Sequence, residues 1–220
     1  TWVNINLPQL ISQPAVRETG YTAQSFEPLV MFRDEPSALA VRADNPKSLH
    51  DLIADAKKQP GKVSMGTTGK WVHTDLALAL FEDSAKVSFA EVNVEGQTEL
   101  NRLLLGGHVQ AGFGNTSAFY RIDKIKVIAV AGKKRTPVLP AVPTFEELGF
   151  PGVDSPVTMG VGVPKGTSPE IVNQLSARLY KLFKTNDSLN KDLEKAGGSP
   201  WFLLNREESN RLIDERRVAI

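Results

Sequence analysis

The chain has 220 residues, 41% of them hydrophobic, and carries 26 Lys and Arg against 25 Asp and Glu. That length buries one good core or two small ones, and a net charge of +1 gives no field that would steer the chain toward DNA, RNA or an acidic membrane surface. The absence of cysteine removes disulfides and thiol chemistry, and no run of about 18 apolar residues predicts a membrane-spanning helix.

The opening residues 1–7 lack the charged and long apolar regions of a signal peptide and read as a buried strand. Beyond them, short apolar runs alternate with amphipathic stretches, the pattern of βα units and a largely parallel sheet. Ser48 caps a helix whose Leu49, Leu52, Ile53 and Ala56 share one face, and Gln59-Pro60-Gly61 stops it. Residues 62–65 predict a short strand, 66–69 a tight loop, 71–81 a second helix and 90–94 another strand. Gly96 opens a helix with Leu100, Leu103 and Leu104 inward, closed by Gly106-Gly107. Residues 111–113 and 127–130 are further strands. Thr144 and Glu147 have the spacing of a capping box for a short helix that ends at Gly149. Residues 157–163 form a strand with interleaved glycines. Ser168-Pro169 starts a long helix carrying Ile171, Leu175, Leu179 and Leu182. A last strand covers 200–204, and Asn205 with Glu208 starts the C-terminal helix.

Catalytic patterns are missing. No Gly-x-Ser-x-Gly elbow occurs, and His50, His73 and His108 are scattered. His73 and Asp75 stand two apart, which on a helix points them about 200° apart, so no metal site is expected. The run Lys133-Lys134-Arg135 is the one basic cluster and reads as a solvated loop. Gly66-Thr67-Thr68-Gly69-Lys70 invites comparison with a phosphate loop. Its glycines are too close together, however, and Trp71 stands where the magnesium-binding Ser or Thr belongs.

The same segment makes a better carboxylate cradle. A strand, a Gly- and Thr-rich loop and a helix start leave several N–H donors unpaired, and the helix dipole favours an anion. The Thr67 and Thr68 hydroxyls would add short donors. Two more small polar loops repeat the pattern: Gly96 after residues 92–95, and Gly114-Asn115-Thr116-Ser117 after Phe113. Ligands of open α/β sheets bind beyond the carboxyl ends of the strands. The alternative for each loop is a plain turn with a helix cap.

Taken in order, several segments resemble the solute-binding receptors of tripartite tricarboxylate transporters, the Bug/TctC family. They are Tyr21 to Pro28, Asn45-Pro46-Lys47-Ser48-Leu49, residues 60–69, residues 103–109, residues 128–135, residues 139–144, residues 147–152 and residues 163–167. The resemblance implies an α/β fold of the periplasmic-binding-protein type II, with two lobes joined by crossing strands. Lobe one would be residues 1–37 plus 159–220, and lobe two residues 38–158. It implies hinge closure on a small carboxylate in the periplasm and delivery to a separate membrane permease, with no catalysis, cofactor, metal or nucleic acid. By position, Gly66, Thr67, Thr68, Gly69, Trp71, Gly96, Asn115 and Thr116 would line the ligand wall of lobe two, and Asn6 would face them from lobe one. The family commonly has small residues at Lys70-Trp71, His at Asp75, and Lys at Glu95. It also has a βαβα segment ahead of the stretch that begins here. Lobe one is therefore expected to expose a sheet edge that a second copy, swapped elements or further residues complete. Other readings are a sensory or effector-binding protein of the same fold, a relative that has lost its ligand and, more distantly, an enzyme.

Overall fold

The computed structural model describes residues 1–195 and 202–218. By internal contacts the chain divides into two compact units, Thr1–Glu35 with Val157–Ile220, and Pro36–Pro156. In chain order the elements are β1 (Val3–Leu7), α1 (Gln9–Val16), β2 (Phe26–Arg42), α2 (Leu49–Lys58), β3 (Ser64–Thr67), α3 (His73–Ala85), β4 (Ala90–Asn93) and α4 (Gln97–Leu105). They continue with β5 (Ala111–Asn115), α5 (Thr116–Phe119), β6 (Ile125–Ala131), β7 (Pro156–Pro164), α6 (Pro169–Thr185), α7 (Asp187–Lys195) and α8 (Arg206–Val218). Strands β2 and β7 both contain a unit boundary, so the backbone passes between units in extended form.

The second unit is a mixed sheet in the order β6-β2-β5-β3-β4. Strand β3 runs parallel to both β4 and β5, while β2 is antiparallel to β5 and β6. The two-residue alternation of a strand explains how both faces are covered. Leu39 and Val41 of β2 point to a core with α2 and α3, and Ala38 and Ala40 point to one with α4 and α5. Phe81 is the hub of the first core, with ring centroids 4.9 Å from Phe145, 5.5 Å from Phe89, 5.8 Å from Phe150 and 6.2 Å from Phe113. On the other face, α4 lies directly on the sheet because Gly66 and Gly112, register partners on β3 and β5, carry no side chain. A Cβ on either would stand 2.4 or 2.7 Å from the Leu100 Cδ1 atom.

In the first unit, β1 pairs antiparallel with β7 from Val3↔Gly162 to Leu7↔Thr158, and β7 lies beside β2. The glycine at 160 permits that packing, since a Cβ there would meet the Val30 carbonyl oxygen at 2.4 Å. Ile5, Leu7, Leu10, Ile11, Met31 and Ile213 form one core cluster, and Leu29, Val163 and Val172 another.

Several local expectations are corrected. Strand β3 extends through Gly66 and Thr67, so the loop begins only at Thr68. The following helix begins at His73, because Trp71 has a φ of 59° and cannot belong to it. Gly114 and Asn115 end a strand, and Thr116 and Ser117 begin a short helix, where a loop was expected. Thr144 and Glu147 do exchange the hydrogen bonds of a capping box, at 2.8 and 3.1 Å. No helix follows, however: Thr144 is drawn into a bridge with Val130 and the chain only turns. On α6, Ile171 and Leu182 are exposed, whereas Val172 and Ser176 are buried. Leu175 and Leu179 of the expected stripe do pack on the Leu29, Val163 and Val172 cluster, and the Ser176 hydroxyl adds a polar anchor by donating to the Leu29 carbonyl at 2.6 Å. Of the expected strand at 200–204, residues 200–201 lie outside the described residues, and Leu204 makes an isolated bridge to Met31.

Candidate functional site

The carboxyl ends of β3, β4 and β5 meet the starts of α3, α4 and α5 in the second unit. The parallel register sets this up: Thr67 pairs with Asn93, and Gly66 with Gly112. After Thr67 the chain passes through Thr68, Gly69, Lys70 and Trp71 to Val72, the residue before α3, whose side chain offers no cap to the helix. The Thr74 hydroxyl instead reaches back, accepting the Thr68 N–H at 3.0 Å and lying 2.9 Å from the Thr68 hydroxyl. Gly96, at φ 86°, starts α4, and its N–H reaches the Thr68 carbonyl at 3.3 Å, tying two of the loops together.

Asn115 is held from two sides. Its N–H donates to the Gln97 Oε1 atom at 2.7 Å, and its Oδ1 atom lies 2.7 Å from Nε2 of the buried His73. With the amide oxygen facing the ring, Nε2 carries the proton and donates. The His73 carbonyl in turn accepts the Ser155 hydroxyl at 2.7 Å, so the first residue of α3 is fixed through side chain and backbone.

A charged cluster closes the other side. The Lys70 ammonium bonds Glu91 and lies 3.1 Å from Asp75 Oδ1, while Asp75 Oδ2 accepts the Trp71 N–H at 2.7 Å. Partial burial works against the Lys70 charge, but hydrogen bonds to Glu91 and Asp75 outweigh it and hold the ammonium pKa above its ordinary value. Partial burial also works against the Glu91 charge. The hydrogen bonds from Lys70 and Thr67 win, and the carboxyl sits below the ordinary range. Burial, reinforced by Glu91 and opposed by the Trp71 N–H, pushes Asp75 up.

The sign of the pH effect follows. A carboxyl whose folded pKa is below its unfolded value, here 4.5, contributes stability above that value and loses it as pH falls through the lowered one. Urea midpoints measured from neutrality down past pH 4.5 should therefore fall more steeply for the native chain than for Glu91→Gln. Parallel curves would show that the Lys70–Glu91 bond does not hold in solution.

The expected site residues separate into three groups. Gly66 is buried beneath Leu100 and serves packing. Thr67 is fully buried, its hydroxyl donating to Glu91 at 2.7 Å and accepting from Asn93 at 2.9 Å. Its expected role as a hydroxyl donor to ligand is corrected, because that proton is already engaged. The buried Thr116 hydroxyl likewise donates to the Pro36 carbonyl at 2.7 Å. Thr68, Gly69, Trp71, Gly96 and Asn115 remain together around the loop and helix starts. Asn6 is in the other unit, on β1, where its Oδ1 atom is buried with no hydrogen-bond partner. Sequence reasoning missed His73, Gln97 and the trio Lys70, Asp75 and Glu91. Lys70 and Asp75 are near neighbours in sequence, but only the β3–β4 register reveals Glu91.

Two surface hollows, of about 530 and 590 Å³, lie elsewhere. Ala56, Pro60 and Glu82 line one, and Asn173, Tyr180 and Arg206 the other. Among the described residues no group of three or more His, Cys, Asp and Glu could hold a metal ion, and no helix is long and apolar enough to cross a membrane.

A family model described as the tripartite tricarboxylate transporter family receptor, TctC, matches residues 8–219. A Cupriavidus necator protein described as the UPF0065 protein in the gbd 5' region is 31% identical over 169 residues, covering 75% of this chain and 51% of the relative. Protein BugT of Bordetella pertussis is 31% identical over 169 residues, covering 74% and 51%. The chain thus spans about half the length of these two relatives. Among solved structures, a TctC solute binding protein from Polaromonas, without ligand, superposes with a TM-score of 0.78 at 28% identity, covering 99% of this chain and 75% of that one. An R. palustris protein solved with adipate gives 0.87 at 26% identity, covering 99% and 74%. The fold is that of these periplasmic-type binding proteins, and the chain belongs to the TctC family of tripartite tricarboxylate transporter receptors.

Proposed function

We propose that this chain captures a small carboxylate in the periplasm and delivers it, chemically unchanged, to the membrane permease of a tripartite tricarboxylate-type transporter. The observation that carries this reading is the meeting of three strand ends with two tied loops and an uncapped helix start, in a chain of the receptor family. Such an arrangement presents N–H groups and the positive end of a helix dipole to an anion. The adipate in the R. palustris protein supports a carboxylate as that anion.

Individual roles follow from the hydrogen bonds. His73 holds the Asn115 oxygen, which turns the Asn115 amide nitrogen outward as a donor to the ligand carboxylate. Thr68, Gly69, Trp71 and Gly96 are assigned to the same wall, and Thr116 supports it through its hydroxyl's bond to the Pro36 carbonyl. A ligand at 100 times its Kd stabilises a protein by about 2.7 kcal/mol. A thermal-shift screen of dicarboxylates, tricarboxylates, amino acids and aromatic acids should therefore yield clear upward shifts with one class. No shift with any carboxylate would leave the reading of a relative that has lost its ligand.

A second copy of the chain is part of the proposal. In the sheet order β1 has a strand neighbour on one side only among the described residues, and Trp2 beside it is exposed. Unpaired edges of this kind invite pairing. Light scattering after size exclusion should give twice the chain mass, and a stable monomer with one cooperative melt would reject the dimer.

A further inference from the structure

The loop between β3 and α3 is held by the helix that follows it. A residue just ahead of a helix commonly caps the first N–H groups with its side chain. Val72, in that place, offers no cap, and the first bond inside α3 runs from the Leu76 N–H to the Val72 carbonyl at 3.0 Å. Two side chains of the first turn reach backward instead. The hydroxyl of the fully buried Thr74 accepts the Thr68 N–H at 3.0 Å, and Asp75 Oδ2 accepts the Trp71 N–H at 2.7 Å. The other Asp75 oxygen lies 3.1 Å from the Lys70 ammonium, which also bonds Glu91 on β4. Residues 68–72 are thus fixed to α3 at Thr68 and Trp71, and to β4 through Lys70.

The backbone and the charge both give these bonds a purpose. Trp71 has a φ of 59°, a region that bulky residues avoid and that persists only where the surroundings impose it. The bond from its N–H to Asp75 imposes it here. Asp75 also puts a carboxylate in the first turn of α3, where it takes up the favourable field of the helix dipole itself. On charge alone it opposes an incoming anion, so any gain it brings to binding comes through the shape of the loop.

We propose that Thr74 and Asp75 are positioning residues of the carboxylate site: by accepting the Thr68 and Trp71 N–H groups they hold the loop in its binding conformation before ligand arrives. This inference rests on the carboxylate-binding reading above and deepens it. A loop ordered in advance loses little conformational freedom on binding, which raises affinity without an added contact.

Asp75→Ala and Thr74→Val remove the acceptor, whereas Asp75→Asn and Thr74→Ser keep an oxygen there. The whole chain and these variants are titrated calorimetrically with adipate, citrate and benzoate, and amide exchange of residues 68–72 is followed without ligand. Asp75→Ala and Thr74→Val should exchange faster across the loop and bind the native chain's best ligand at least about tenfold more weakly, while Asp75→Asn and Thr74→Ser should stay within about threefold of native. A lower melting temperature with unchanged affinity in the acceptor-free variants would show a role in stability alone and overturn the inference. An equal loss of affinity in the acceptor-keeping variants overturns it too, as does tighter binding by both Asp75 variants, which would mark Asp75 as a repelling charge only. The half-buried Asp75 decides the matter if Thr74→Val does not fold. Failure of all three acids to bind the native chain overturns the inference, and an empty thermal-shift screen overturns the carboxylate reading with it.

Discussion

Replacing Phe81 by alanine is expected to destabilise the second unit by about 3–5 kcal/mol, the range for emptying a fully packed aromatic site. Phe81 has no exposed surface, and four phenylalanine rings surround it, from α3 outward to β5 and the turn after Thr144. Removing the hub leaves a cavity whose walls come from separate elements, so collapse of any one of them cannot fill it. Chemical denaturation followed by far-ultraviolet circular dichroism measures the loss. A change below about 1 kcal/mol would mean that the aromatic cluster is loosely packed.

The second large effect is expected at Gly66→Val. This glycine was expected to touch ligand, and the structure places it under α4. A Cβ would stand 2.4 Å from Cδ1 of the fully buried Leu100. To admit the larger valine, Leu100 must change rotamer or α4 and β3 must shift apart. Overpacking of this kind costs about 1–3 kcal/mol. It would also displace Gly96 and Gln97, and Gln97 holds the Asn115 N–H. The variant should therefore lose affinity for its best carboxylate ligand as well as stability. Calorimetric titration beside a melting curve separates the two, and unchanged affinity in a destabilised variant would show that α4 does not position the site.

The elements with local causes were legible in the sequence. Ser48 caps α2 in the expected way, with Asp51 answering the Ser48 N–H at 2.8 Å, and Asn205 and Glu208 do the same for α8. Composition located the loops after β3 and before α4, whereas Gly114–Ser117, read as a third loop, ends β5 and begins α5. The limits of sequence reading were set by tertiary contacts. Thr144 and Glu147 carry the hydrogen bonds of a helix start, yet pairing of Thr144 with β6 diverts the backbone. Thr67 reads as a donor to ligand until the β3–β4 register sets Glu91 and Asn93 beside it. Trp71 reads as the first residue of a helix until its φ takes it out. The family resemblance proposes a ligand wall, and the hydrogen bonds show that the Thr67 and Thr116 hydroxyls within it are already engaged.

Binding of a carboxylate against the loop and helix starts of the second unit is tested most directly by hydrogen exchange with and without the best carboxylate from the thermal-shift screen. The prediction is slowed exchange at the amides of residues 68–75, 96–97 and 115–116, with the α2 amides, remote from the ligand in this account, unaffected. Slowed exchange confined to other segments, such as the hollow lined by Asn173, Tyr180 and Arg206, would contradict it.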